Sequence, residues 1–202
     1  MTCIVALTNK TGIYMGADMG SVQKDQFRVR YDRKLFERIF LDVPTLFGFS
    51  GSYRMGQLLS IFNFEDFHIN RAIQTNDELH LFLIAEFIPK LIKFMEANDC
   101  IEKENGTKKL SGDILMGLFN ETFSIGRDFQ ISRYKEPYTA IGSGKKYALG
   151  AMHSLATTFK FEQDPEGCIL TALSAATYDI KVRRPFITET IPHATNPEAK
   201  VK

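Results

Sequence analysis

No stretch of this sequence is apolar for the roughly 20 residues that a membrane-spanning helix needs. Its start also lacks the basic segment and long apolar run of a secretory signal. Both absences lead to the expectation of a cytoplasmic protein without a membrane partner. Cysteine is scarce. Cys3, Cys100 and Cys168 are odd in number and show no CxxC spacing, which argues against a disulfide framework and for reduced thiols. An excess of either charge is missing too: 25 Lys and Arg stand against 24 Asp and Glu, a net charge of +1. No basic face offers itself to nucleic acid, and no acidic tail to a basic partner. His68, His80, His153 and His193 stand singly, without ligand spacing, so neither a metal nor another cofactor is expected.

What is present reads as an ordinary folded chain. Hydrophobic residues make up 44% of the 202 and charged residues 24%, enough for one domain with a substantial core. A single domain over 1–202 is expected, with 2–191 as its packed part and 192–202 as a frayed, flexible tail.

The pattern along the chain alternates between strand and helix blocks. Thr2–Leu7 and Ile13–Ala17 are apolar and β-rich around a polar turn, and read as a hairpin. Residues 22–33 are polar and charged and read as a loop. Lys34–Phe40 and Thr45–Ser50 read as a second hairpin, turning at Asp42-Val43-Pro44. Helical spacing follows in Tyr53–Phe62, then in Asn76–Ala97, where Asn76 or Asp77 can cap and Pro89 should kink or split the helix. Lys103–Lys109 reads as a polar loop, and its Asn105-Gly106-Thr107 sequon is most simply a turn. Asp113–Phe119 and Glu121–Ile125 form a third hairpin, with a further short strand over Gln130–Tyr134. Tyr138–Gly144 is a strand ending in a glycine-flanked turn. Lys145–Phe159 is a helix, Asp164-Pro165 opens another to about Tyr178, and Phe186–Ile191 is a last strand. Blocks of strands and helices in this order are not the βαβ alternation of a parallel sheet. They fit an α+β, four-layer αββα sandwich: two mainly antiparallel sheets with helices on both outer faces.

The first residues carry a chemical possibility. Thr2 is small enough for a methionine aminopeptidase to remove Met1. The new terminus would then hold a hydroxyl and an α-amine on one residue, a nucleophile with its own base. A Thr after the start Met is common, so this has weight only with a site around it.

Several stretches together supply that context. Met1-Thr2-Cys3-Ile4-Val5, Gly16-Ala17-Asp18, Asp32-Arg33-Lys34-Leu35, Phe47-Gly48-Phe49-Ser50-Gly51-Ser52, Ala140-Ile141-Gly142-Ser143-Gly144 with Tyr147-Ala148, and Ala175–Asp179 occur in order. In content and spacing the chain resembles the proteasome β-type N-terminal-nucleophile hydrolases, and is most similar to the bacterial HslV-like threonine peptidases.

The resemblance implies a threonine endopeptidase acting on polypeptides. Thr2 would be the nucleophile, Lys34 a cation lowering the pKa of its amine and hydroxyl, and Asp18 the partner of Lys34. The Gly51 amide would bind the oxyanion. Ser143 and Asp179 would complete a network around the amine. Departures occur beside Asp179, where Val182 and Arg183-Arg184-Pro185 replace small polar residues common in the family. Ser21, Asp32 and Phe36 would border the pocket for the residue before the cut. Cys3 should point to the opposite face of its strand from Thr2. Homo-oligomeric rings are implied, with a separate ATP-dependent unfoldase as a possible partner. Two alternatives stay open: a small-molecule amidohydrolase of the wider class, and a catalytically silent ring or scaffold subunit.

Overall fold

The structure is a computed structural model that describes residues 2–23, 26–29, 31–68, 73, 75–158 and 160–193. The tail expected to fray lies outside these residues from 194 onward, as does Met1. The chain begins with β1 (Cys3–Thr8), β2 (Gly12–Asp18), β3 (Gly20–Gln23), β4 (Gln26–Val29), β5 (Leu35–Phe40) and β6 (Val43–Gly51). Helices α1 (Tyr53–Ser60), α2 (Asn76–Phe82) and α3 (Ile88–Ala97) follow. Then come β7 (Ile101–Glu104), β8 (Thr107–Leu110), β9 (Gly112–Leu118), β10 (Glu121–Ile125), β11 (Ile131–Arg133) and β12 (Tyr138–Gly142). Helices α4 (Lys145–Ala156), α5 (Lys160–Gln163) and α6 (Pro165–Ala176) lead into β13 (Phe186–Pro192).

Two antiparallel sheets organise the molecule. One has the order β12-β1-β2-β13, the other β11-β10-β9-β6-β5. Their facing side chains, among them Ile4, Ala6, Ile13, Met15, Leu46, Leu115 and Ile141, form one buried cluster. Strand β1 is apolar from Cys3 to Leu7 because both of its faces are covered there. Ile4 and Ala6 turn to the second sheet, while Cys3, Val5 and Leu7 turn to α4 and α6. The outer face of the five-stranded sheet is packed by α1–α3 through an aromatic cluster that includes Phe40, Phe47, Phe64 and Phe87. Phe47 and Phe64 approach to 4.5 Å between ring centroids. Among the described residues no helix is long and apolar enough to cross a membrane.

Several local expectations need correction. Residues 22–33 are not simply a loop, because β3 and β4 pair as a hairpin. Lys103–Lys109 likewise belongs to a hairpin, β7 and β8, turning at Asn105-Gly106. Its residues are mostly exposed on both faces, so no apolar alternation marks it. The turn between β5 and β6 is at Leu41-Asp42, and Val43 and Pro44 are already in β6. Pro44 is tolerated because it precedes the part of β6 paired with β9, and its register opposite Ile39 falls between hydrogen-bonded pairs. The cap of α2 is Thr75, whose side chain forms a capping box with Glu78. Pro89 does split the long helix: a π-helical turn over Leu83–Phe87 precedes α3, which carries this Pro in its first turn.

Candidate active site

The site lies where the two sheets part at the start of β1. Asp18 ends β2 and Lys34 immediately precedes β5, and both are buried, 0% and 2% exposed. The Lys34 ammonium lies 3.0 Å from each Asp18 oxygen and donates to the Gly20 carbonyl at 2.5 Å. Its three hydrogens therefore all have acceptors. The same carboxylate accepts the Cys3 amide at 2.9 Å and the Gly20 amide at 3.1 Å. Two ions taken from water need such full hydrogen bonding to be tolerated. Burial pulls the Lys34 pKa down, and Asp18 opposes that pull. Because the Cys3 amide is bound to Asp18, the ion pair is fixed one peptide unit from Thr2.

Cys3 itself faces the other way, into the cluster with α4 and α6. Burial first, and Asp18 second, push its thiol up to about 12. It is a packing residue, not a rival nucleophile.

Thr2 lines a cleft of about 400 Å³ with Ser50, Gly51, Glu102, Ser111, Gly112, Asp113, Arg127, Gly142 and Ser143. Gly51 has φ +103°, in the region that favours glycine, and a Cβ there would lie 2.5 Å from the Ser111 carbonyl. The Ser52 amide bonds the Ser111 carbonyl at 3.0 Å. Ladder alternation then puts Gly51 and Gly112 in a non-bonded pair, so the Gly51 N–H points away from β9. Gly142 is the tightest contact with the nucleophile candidate: its Cβ would lie 2.2 Å from the Thr2 carbonyl oxygen. That oxygen accepts the Ser143 hydroxyl and the Gly144 amide, each at 3.5 Å.

The other expected residues sit further out. Asp179 follows α6, and its carboxylate accepts the Lys181 amide at 2.9 Å. It is near enough to contribute to the raised Cys3 pKa, but among the described residues no hydrogen bond joins it to Thr2 or Ser143. Asp32 and Phe36 line a separate cavity of about 160 Å³ with Phe49, Tyr53, Gly56 and Gln57. The Tyr53 ring connects it to the ion pair, with its centroid 5.9 Å from the Lys34 nitrogen. Ser21 is on β3, where its hydroxyl donates to the Arg28 carbonyl at 3.2 Å, and it does not line that cavity.

Sequence reasoning missed Ser50, Ser111, Asp113, Glu102 and Arg127. A period-two reading of β9 could have found Asp113. Ile114, Met116 and Leu118 face the aromatic cluster and Leu115 faces the other sheet, so Asp113 shares the inter-sheet face with Leu115. Glu102 and Arg127 come from separate hairpins, and only the fold joins them.

The chain has a proteasome β-like fold, and at the head of its central strand the structure brings together Thr2, the buried Lys34–Asp18 pair and the glycine turn across the cleft. Solved structures of that fold match nearly the whole chain. BPH from Thiobacillus denitrificans, in complex with epoxomicin, superposes with a TM-score of 0.74 at 14% identity, over 96% of this chain and 100% of its own. HslV from Trypanosoma brucei gives 0.65 at 16% identity, over 95% and 99%. The helical assembly of the Anbu complex from Pseudomonas aeruginosa gives 0.63 at 14%, over 94% and 81%. No protein-family model matches the sequence, and no curated protein does.

Proposed function

We propose that this chain is a threonine-type peptidase subunit with the four-layer αββα architecture of N-terminal-nucleophile hydrolases. The observation that carries the reading is the dry Asp18–Lys34 pair bonded to the Cys3 amide, with Thr2 opening into the cleft opposite Gly51.

Removal of Met1 would give Thr2 a free amine. That amine takes the hydroxyl proton as Oγ attacks the scissile carbonyl, and later returns it to the leaving nitrogen. Lys34 acts as a fixed positive field, because its hydrogens are committed to Asp18 and Gly20. That field favours the neutral amine and the developing alkoxide. The Gly51 N–H, free of the β9 ladder, stabilises the tetrahedral oxyanion by roughly 3 kcal/mol. Ser143 holds the Thr2 carbonyl, and Asp179 bears on the same strand end electrostatically. Asp32 and Phe36 border a pocket for the residue before the cut, with Ser21 on the neighbouring hairpin. The substrate is a polypeptide. The working form is a cytoplasmic homo-oligomer, to which a separate ATP-dependent unfoldase could deliver chains. The assembled state of the P. aeruginosa Anbu neighbour supports the oligomer.

Intact mass of the purified protein, with and without a peptide epoxyketone, tests this. The probe needs a hydroxyl and a free amine on one residue. Loss of one methionine and a stoichiometric adduct, absent in Thr2→Ala, is the expected result. Retained Met1 with no adduct favours the scaffold subunit. An adduct with turnover of small amides but not of peptides favours the amidohydrolase.

A further inference from the structure

The charges around the Thr2 cleft do not cancel. Asp18 and Lys34 neutralise each other beneath it. At its rim the Arg127 guanidinium donates to Glu102 at 2.6 Å and to the Leu110 carbonyl at 3.1 Å. The Leu110 amide donates back to the Arg127 carbonyl at 2.7 Å, so the arginine is clasped at both ends. Asp113 is left over. It is half-buried on the inter-sheet face of β9, one register step from the Gly51–Gly112 pair. The Ser50 hydroxyl donates to it at 3.5 Å, the limit of a hydrogen bond. Among the described residues no Lys, Arg or His lies within ion-pair distance of it. A carboxylate so placed inside a cleft of about 400 Å³ keeps most of its acceptor capacity for something that enters.

We propose that Asp113 is a specificity-determining residue that selects substrates carrying a cationic amino or guanidino group where they lie in the Thr2 cleft. The cation is either a Lys or Arg side chain or the amino terminus of the peptide. It bonds the Asp113 oxygens, and the paired Glu102 and Arg127 frame the entry without adding net charge. The proposal deepens the peptidase reading and rests on Thr2 being the reacting residue.

The test uses the full-length protein and short peptides that differ at one position, Lys, Ala or Glu, each with a free or an acetylated amino terminus. The kcat/KM for Lys should exceed that for Ala about tenfold, the worth of one charge-assisted hydrogen bond, with Glu slowest. In Asp113→Asn the ratio should fall to about one, and in Asp113→Lys it should invert towards Glu. A preference that survives acetylation identifies the side chain as the cation, and one that disappears identifies the terminal amine. An unchanged ratio in Asp113→Asn overturns the proposal, as does a wild-type preference for Glu, which would give control to Arg127. The same peptides titrated onto Thr2→Ala by fluorescence anisotropy read selectivity without chemistry. Tighter binding of the cationic peptide there, with no cleavage by the wild type, sinks the peptidase reading and upholds the charge selection. Equal binding of all three peptides sinks the selection.

Discussion

Thr2 is flanked by two walls of different construction. On one side, Asp18 and Lys34 sit at strand ends within the fold, sealed from water, with all of the ammonium hydrogens and both carboxylate oxygens engaged. On the other, Ser143 and Asp179 sit in turns flanking α4 and α6, and the Ser143 hydroxyl and the Gly144 amide reach the Thr2 carbonyl at 3.5 Å each. The first wall cannot change without cost to the fold. The second can be altered with the strands intact. Function and stability should therefore be coupled on one side of Thr2 and separable on the other.

The largest effects test the sealed wall. Lys34→Met leaves a buried carboxylate unpaired, and should cost about 3–5 kcal/mol of stability and ~10²–10³-fold in peptide hydrolysis. Denaturant midpoints and kcat measure the two separately. Asp18→Asn with Lys34→Met should recover much of the stability and none of the activity. If activity returns with stability, the ion pair is architecture alone. Gly142→Ala comes next. Its new Cβ would meet the Thr2 carbonyl at 2.2 Å. A nucleophile displaced by about 1 Å loses ~10²-fold in rate, so adduct formation with the epoxyketone should slow by that order. On the open wall, Ser143→Ala and Asp179→Asn should each lower kcat/KM by less than about tenfold and leave the melting temperature nearly unchanged. A loss as large as that of Lys34→Met would erase the contrast between the walls.

The smallest effect concerns Cys3, just behind Thr2. Its thiol titrates at about 12 in the folded chain against 9.0 as the ordinary value. The folded state therefore holds this proton longer than the unfolded state does. The stabilisation is complete below pH 9 and disappears as pH rises towards 12, at ~1.4 kcal/mol per pH unit. Urea midpoints across this range should fall less steeply in Cys3→Val than in the wild type.

How much of this could be read in the sequence follows the same division. Strands β1, β2, β6, β9, β10 and β12 were visible because burial imposes apolar runs or alternation on them, and the Asp164-Pro165 start of α6 because its cap chemistry is local. The β3–β4 and β7–β8 hairpins were not, since surface pairing leaves little hydrophobic trace. Asp18 and Lys34 were singled out through resemblance, and their contact comes from the packing of one sheet on the other, since β2 and β5 belong to different sheets. The cleft side chains were hidden for a geometric reason: Ser50, Ser111, Asp113, Glu102 and Arg127 come from separate strands and loops, and nothing local requires them to meet.

The pairing of β1 sets a schedule for the molecule. Its first residues are held between β2, made almost at once, and β12, where Cys3 opposes Gly142. A chain emerging from the ribosome can form the β1–β2 hairpin long before residues 138–144 exist to pair with it. The cleft that Thr2 and Gly142 line is therefore completed only when the last third of the chain has folded back onto the first strand. A chain that ends before β12 would keep Thr2 at the head of its strand but lack the Gly142 and Ser143 side of the cleft.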